Sequence, residues 1–296
     1  MAHHRERAYR HLIGGSEDAV RAVGAGVQEG RKWAGGSPNS SFWSCSGPPT
    51  GLQPDPCPPA PPAPATIAVG SAVLAVNAGD EHTCAIRTDG TLACWGSIGD
   101  HGDASTPAGT FTAVSGGYSD ACAIRTDGTL ACWGFDGNGQ ATPPAGTFVA
   151  VSAGSELSCA IRSDGTLACW GDHEPGMEFG QATPPSGTFV AVEAGYLHTC
   201  GIRTDGTLAC WGSDEGIGLA TPPTGTFTAL SAGGGHTCAI RTDATLACWG
   251  FDAYGRATPP TGTFTAVSAG GGHTCAIRTD ATLACWGLPP NLDDHG

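Results

Sequence analysis

The chain has 296 residues, of which 47 are glycine and 22 proline, and a formal net charge of −14. Such a composition favours many turns and short strands over long helices. Residues 71–296 hold seven arginines against twenty-two carboxylates, a balance that repels phosphate backbones and anionic membranes and argues against a nucleic-acid partner; no run of 18 apolar residues is present to span a bilayer.

Residues 1–46 are poor in aliphatic side chains and lack a strand period, so they are expected to be poorly ordered. A short helix could start at Ser16-Glu17-Asp18, with Val20, Val23 and Val27 on one side. Gly24, Gly26 and Gly30 weaken it. The same stretch lacks the continuous apolar core of a secretory signal. Residues 47–70 read as a proline-rich linker of extended, polyproline II character. Cys45 and Cys57 flank or lie within it, and the sequence leaves open whether they pair with each other or are free.

The segment 71–296 is periodic. The string HTCAIRTDGTLACWG recurs six times with small variations, its first cysteines at Cys84, Cys122, Cys159, Cys200, Cys238 and Cys275, in steps of 38, 37, 41, 38 and 37 residues. Such a period indicates a solenoid, a propeller or an array. Within each unit the apolar period is two, in short runs such as FTAVS, TCAIR and TLACW bounded by glycine. That pattern predicts at least three strands per unit and excludes helical-pair repeats. The expected fold is all-β: a propeller of six, or with an extra unit seven, short three- to four-stranded blades.

The hairpin Thr88-Asp89-Gly90 suits a three-residue loop, a type I turn followed by glycine in the left-handed region. In that register Cys84 lies opposite Cys94, at a non-hydrogen-bonded pair with Cα atoms about 4.5 Å apart. The same reading predicts Cys122–Cys132, Cys159–Cys169, Cys200–Cys210, Cys238–Cys248 and Cys275–Cys285 as bridges within their units. Each closes a loop of about 11 residues and contributes roughly 3 kcal/mol on the loop-entropy account. Reduced, buried cysteines are the alternative; zinc is disfavoured by the long spacing within each pair. Ala244 and Ala281 replace the turn glycine in the last two units, which predicts strain or another turn type there.

The string HTCAIRTDGTLACWG, followed by Phe135-Asp136-Gly137-Asn138-Gly139-Gln140, resembles the regulator of chromosome condensation repeat, over residues 72–287. The resemblance implies a propeller, most often seven-bladed and closed by pairing the two ends of the repeat region. The short unit looks more like the family's bacterial branch, which includes a secreted inhibitor of β-lactamases, than like its eukaryotic founder, a guanine-nucleotide exchange factor that docks on chromatin. Paired cysteines depart from both and suggest an oxidising environment, extracellular or in the cell envelope; reduced cysteines would place the chain in the cytoplasm. Six units suggest a ring of six first, and an open or seven-fold assembly second. Thr66-Ile67-Ala68-Val69 is a candidate extra strand, and Ala72–Val76 a candidate to close the ring onto the last unit.

The recurrent arginines, aspartates and tryptophans read as structural: hairpin-end ion pairs or blade contacts, and packing between blades. His82, His198, His236 and His273, with Asp120 and Leu157 in the other two units, read as turn-stabilising hydrogen bonders better than as a metal ring. Variation between units marks the candidate binding surface. One variable set precedes the histidine position and offers Asp80, Glu81, Tyr118, Glu156 and Tyr196. The second follows Trp-Gly and offers Phe135, Asp172, His173, Glu174, Phe179, Asp214, Glu215, Phe251 and Tyr254. Aromatic residues among carboxylates suit protein recognition. No nucleophile elbow, phosphate loop or zinc-protease motif occurs, so neither catalysis nor a cofactor or metal is expected. The expected function is binding of a protein partner; nucleotide exchange by family analogy and glycan binding are the alternatives.

Overall fold

The structure, a computed structural model, describes residues 72–80, 82–96, 106–171, 179–214 and 216–287. The candidate strand Thr66–Val69, Cys45 and Cys57 lie outside these residues.

Each unit folds into one three-stranded antiparallel sheet, giving six blades. The first strands are Val73–Ala78, Phe111–Gly116, Phe148–Ala153, Phe189–Ala194, Phe227–Ala232 and Phe264–Ala269. The middle strands are His82–Arg87, Asp120–Arg125, Leu157–Arg162, His198–Arg203, His236–Arg241 and His273–Arg278. The third strands are Leu92–Gly96, Leu130–Gly134, Leu167–Gly171, Leu208–Gly212, Leu246–Gly250 and Leu283–Gly287. Segment Val73–Ala78 pairs with His82–Arg87 inside the first blade and does not add to the last one.

The turn chemistry sets the register. In blade 1 the Gly90 N–H donates to the Arg87 carbonyl at 2.8 Å and the Arg87 N–H to the Thr91 carbonyl at 2.9 Å, with Gly90 at φ 83°. Asp89 Oδ1 accepts from both the backbone N–H (2.9 Å) and the hydroxyl (2.7 Å) of Thr91. Ile86 then faces Leu92, Ala85 faces Ala93 and Cys84 faces Cys94. All six bridges form within their own blades, with Cα atoms 4.1 Å apart. Ala244 and Ala281 keep the same turn and are held at φ 67° and 66°, a left-handed conformation in which a β-carbon costs about 1–2 kcal/mol.

The first strands of neighbouring blades approach one another, and each middle strand packs on the first strand of the next blade. The first strands are therefore innermost. Ile124 of blade 2, with Ala113 and Leu130, packs against Phe148, Val151, Ala160, Ala168 and Trp170 of blade 3. The other interfaces repeat this arrangement. Each fully buried Ile, Leu or Phe contributes about 1.5–3 kcal/mol. Polar stitches add direction: the inner-strand residues Asn77, Ser115, Ser152 and Ser231 accept the backbone N–H of Gly116, Ala153, Ala194 and Ala269 in the following blade, at 2.7–3.0 Å.

The contacts that join each blade to the next do not recur between the sixth and the first among the described residues. The end faces show it. Ile277 and Leu283 of blade 6 are 43% and 69% exposed, against 2% and 5% for Ile86 and Leu92. Leu74 and Val76 of blade 1 are likewise exposed. Among the described residues the six blades thus form an open arc, the second expectation, and not the closed ring of six expected first.

Candidate interaction rim

Strand parity positions the loops. With three strands per blade, the loop after the inner strand and the exit after Trp-Gly emerge at the same end, and the Thr-Asp-Gly hairpins lie at the opposite end. Backbone bonds join the two loop sets: the N–H groups of Phe135, Ser213 and Phe251 donate to the carbonyls of Ser119, Leu197 and Gly235, each at 2.8 Å. Bonds from Asp80 to Gly117, Tyr118 to Gly154, Ser155 to Gly195 and Gly234 to Gly270 link successive inner loops at four of the five junctions. The two variable sets therefore make one continuous rim.

Each described exit loop shares one frame. The aspartate after Trp-Gly-x braces it: Asp136 accepts from the Ala141 N–H (2.8 Å) and the Thr142 hydroxyl (2.7 Å), and Asp252 does the same with Ala257 and Thr258. Asp214 accepts from the Ala220 N–H at 3.0 Å. The candidate Asp214 thus serves its own loop, although it is exposed. Deeper in the loop, Gln140, Gln181, Leu219 and Arg256 are buried. Their carbonyls accept the indole N–H of Trp170, Trp211, Trp249 and Trp286 in the following blade, at 2.7–3.1 Å. The tryptophans fasten loop to blade as well as packing between blades.

The residue two before this buried position is the loop tip, and it precedes a left-handed glycine with open space around it (Gly139, Gly180, Gly218, Gly255). The tips are Asn138, Phe179, Ile217 and Tyr254. In two loops a glutamine side chain anchors the tip N–H: Gln140 Oε1 accepts from Asn138 at 2.9 Å and Gln181 Oε1 from Phe179 at 2.8 Å. Arg256 has no acceptor to offer there. Its Nε instead donates to the Ala253 carbonyl at 3.1 Å, and Tyr254 turns into the left-handed region at φ 59°. Tyr254 is 63% exposed and Phe179 43% exposed.

The other candidates fall on the same rim. Tyr118 is exposed, while Asp80, Glu156, Tyr196 and Phe135 are half-buried. Phe251 is half-buried beneath Arg256, whose guanidinium lies 5.0 Å from the ring centroid. Glu81, Asp172, His173, Glu174 and Glu215 lie outside the described residues. Ile217 and the buried loop residues were not singled out from sequence. The signal was available: each stands at a fixed offset before the recurrent Ala-Thr-Pro-Pro.

Under the rim lies a set of inter-blade polar contacts. His198 Nε2 meets Thr237 Oγ1 at 2.7 Å, and His236 Nε2 meets Thr274 Oγ1 at 2.6 Å. His198 and His236 thus bind the next blade instead of stabilising their own turns. Burial lowers His198 to about 4 and His236 to about 3, so both are neutral at pH 7. Asp120 takes the role in blade 2, accepting from the Ser158 hydroxyl at 3.3 Å. Burial raises its pKa to about 8, and its Oδ1 has no partner. In blade 1, His82 faces a neighbour with Ala121 where later blades have a hydroxyl, and neither ring nitrogen has a partner.

The hairpin end is chemically different. Five arginines, Arg125, Arg162, Arg203, Arg241 and Arg278, stack on the inner-strand phenylalanine of their own blade at 4.9–5.2 Å. Each donates to a carbonyl of the loop entering that blade. Arg87, which has Val73 opposite, bonds Thr91 and the Leu92 carbonyl. The hairpin aspartates are engaged by the threonine two positions on, which holds them below the usual carboxylate range. The expected hairpin-end ion pairs or blade-to-blade contacts give way to these two separate sets of contacts within each unit. Among the described residues no group of three or more His, Cys, Asp or Glu is placed to hold a metal, and no helix is long and apolar enough to cross a membrane.

The regulator of chromosome condensation (RCC1) repeat matches residues 73–102, 148–181, 189–215, 227–256 and 264–291, together half of the chain. No curated protein matches in sequence. In fold the chain is similar to the ectodomain of receptor kinase CR4 from Physcomitrella patens, at 26% identity and TM-score 0.63, over 72% of this chain and 63% of that one. It therefore spans less than two thirds of the moss ectodomain. It is also similar to the ACR4 ectodomain of Arabidopsis thaliana, at 23% identity and TM-score 0.62, covering 74% and 86% of the two chains. Yeast RCC1 (Prp20), crystallised with Kap60 bound, matches at 16% identity and TM-score 0.60 over 73% and 70%.

Proposed function

Because the chain belongs to the regulator of chromosome condensation repeat family, we propose that it is a non-catalytic binding propeller that recognises a protein partner through its loop rim. The observation that carries this reading is the convergence of both variable loop sets on one end, with Tyr118, Phe179 and Tyr254 exposed there. A repeat scaffold needs uniformity in its strands and hairpins, and the hairpin end keeps one turn conformation in all six units. Exposed aromatic side chains on rigidly braced loops are the usual anchors of protein recognition. The architecture is used for protein contacts elsewhere: yeast Prp20 is described with Kap60 bound and for its binding to Gsp1p and histones. Six intra-blade disulfides favour an oxidising compartment, extracellular or in the cell envelope.

A photo-reactive phenylalanine analogue at Tyr118 or at Thr126 compares the two ends directly. The oxidised protein is irradiated with extracellular proteins of its source. Capture of a discrete protein from position 118 and not from 126 is the expected result. Capture from 126 alone, or from neither position, would overturn the reading.

A further inference from the structure

The rim has a charge pattern that the rest of the propeller lacks. Residues 71–296 contain seven cations of the Lys/Arg type, all arginines. Six of them are held at the hairpin end by stacking or carbonyl contacts. The seventh, Arg256, is 1% exposed and donates inward to the carbonyls of Ala253 and Gly271. The rim histidines His82, His198, His236 and His273 are all shifted toward the neutral form by burial. Among the described residues the rim's accessible charge is therefore carboxylate: Asp136, Asp214 and Asp252 are exposed, one in each of three exit loops. Their bonds to loop N–H and hydroxyl groups brace the loops but leave the negative charge in place.

Apolar surface is distributed unevenly on the same rim. Three successive tips toward the last blades are large and apolar or aromatic, Phe179, Ile217 and Tyr254, and the preceding one is Asn138. Each is presented one blade after the last and stands beside a glycine that leaves its flank open. Uncompensated carboxylates flanking a row of apolar tips are complementary to one ligand chemistry. We propose that the rim, taken as the recognition surface argued above, binds a cationic polypeptide segment that carries large apolar side chains among its lysines and arginines. The Phe179–Ile217–Tyr254 row is its apolar contact. An acidic or neutral segment would meet repulsion, or would gain nothing from the surrounding charge.

The full-length oxidised chain can be panned against a displayed random-peptide library, and the enriched peptides synthesised as the probes. The expected outcome is enrichment of lysine and arginine alongside large apolar residues. Binding should weaken at least about ten-fold in the double variant Phe179→Ser, Tyr254→Ser, stay unchanged in Asn138→Ser, and weaken as salt is raised. Thiol titration of the variants, with all twelve blade cysteines still oxidised, shows that the fold is retained. Peptides that are acidic or neutral, yet lose binding with Tyr118→Ser, would overturn this inference and leave the rim standing as a recognition surface. Peptides insensitive to every rim variant, or no enriched peptide at all, would overturn both.

Discussion

Replacing Ala121 by threonine is expected to stabilise the propeller. His82 is 3% exposed and both of its ring nitrogens are unpartnered. In the equivalent places His198 and His236 meet a threonine hydroxyl of the next blade at 2.7 and 2.6 Å. Ala121 occupies that threonine's position in blade 2, opposite Trp133 as Thr237 is opposite Trp249. An unsatisfied buried polar group costs about 1–3 kcal/mol, and a hydrogen bond regained contributes about 0.5–1.5. Allowing for fitting two extra heavy atoms into a closed site, the expected net gain is about 1–2 kcal/mol. For a domain of this size that corresponds to a rise in Tm of roughly 2–4 °C per kcal/mol. Thermal and urea unfolding of the oxidised protein measure it. The control is Ala121→Val, which has threonine's shape without its hydroxyl and should give no gain. Equal effects of Thr and Val, or destabilisation by Thr, would refute the reasoning that His82 lacks a partner. A companion change, His82→Leu, copies the buried Leu157 of blade 3 and should also stabilise.

Further outcomes follow from the same contacts. Ala244→Gly and Ala281→Gly relieve a β-carbon at φ 67° and 66°, and each should add about 1 kcal/mol in urea unfolding. Burial raises Asp120 to about 8, so the folded state holds this proton more tightly than the unfolded chain. Its contribution to stability is greatest below the ordinary carboxylate range and is lost as pH rises through about 8. Asp120→Asn should therefore be more stable than the parent at pH 8–9, with the advantage shrinking toward pH 4 in unfolding measured across that range; Glu193, raised to about 7 by burial, works in the same sense. His198 and His236 are depressed, so their contribution is present above the ordinary histidine range and is lost as pH falls from there toward 4. Cys285 is exposed and Cys275 half-buried, whereas the first cysteine of every other pair is fully buried. Differential alkylation in mild dithiothreitol should therefore find Cys275–Cys285 reduced first, and uniform reduction of all six would contradict the open end.

The blade was legible because its determinants are local. Thr-Asp-Gly fixes a turn, the turn fixes the register, and the register sets Cys84 opposite Cys94. Contacts between blades were not legible because they join residues 36–42 positions apart whose partners are set by how sheets stack. The histidine lies directly before a threonine in its own unit, but its bond goes to the threonine of the next. Arg125 and Asp127 sit two apart and invite an ion pair, yet the inner-strand phenylalanine and the turn threonine take them separately. For the candidate site, variation between units marked two loop sets that the fold brings to one end. That both sets share a rim follows from an odd strand number, which the sequence left at three to four. Asp214 shows the limit of composition: a carboxylate chosen because it suits recognition also braces the loop that carries it.

Disulfide mapping by mass spectrometry of the natively produced, unreduced protein tests the account most directly. It should return Cys84–Cys94, Cys122–Cys132, Cys159–Cys169, Cys200–Cys210, Cys238–Cys248 and Cys275–Cys285, with no link between units. Free thiols at these twelve positions, or bridges between blades, would contradict both the pinned blades and the oxidising compartment inferred from them.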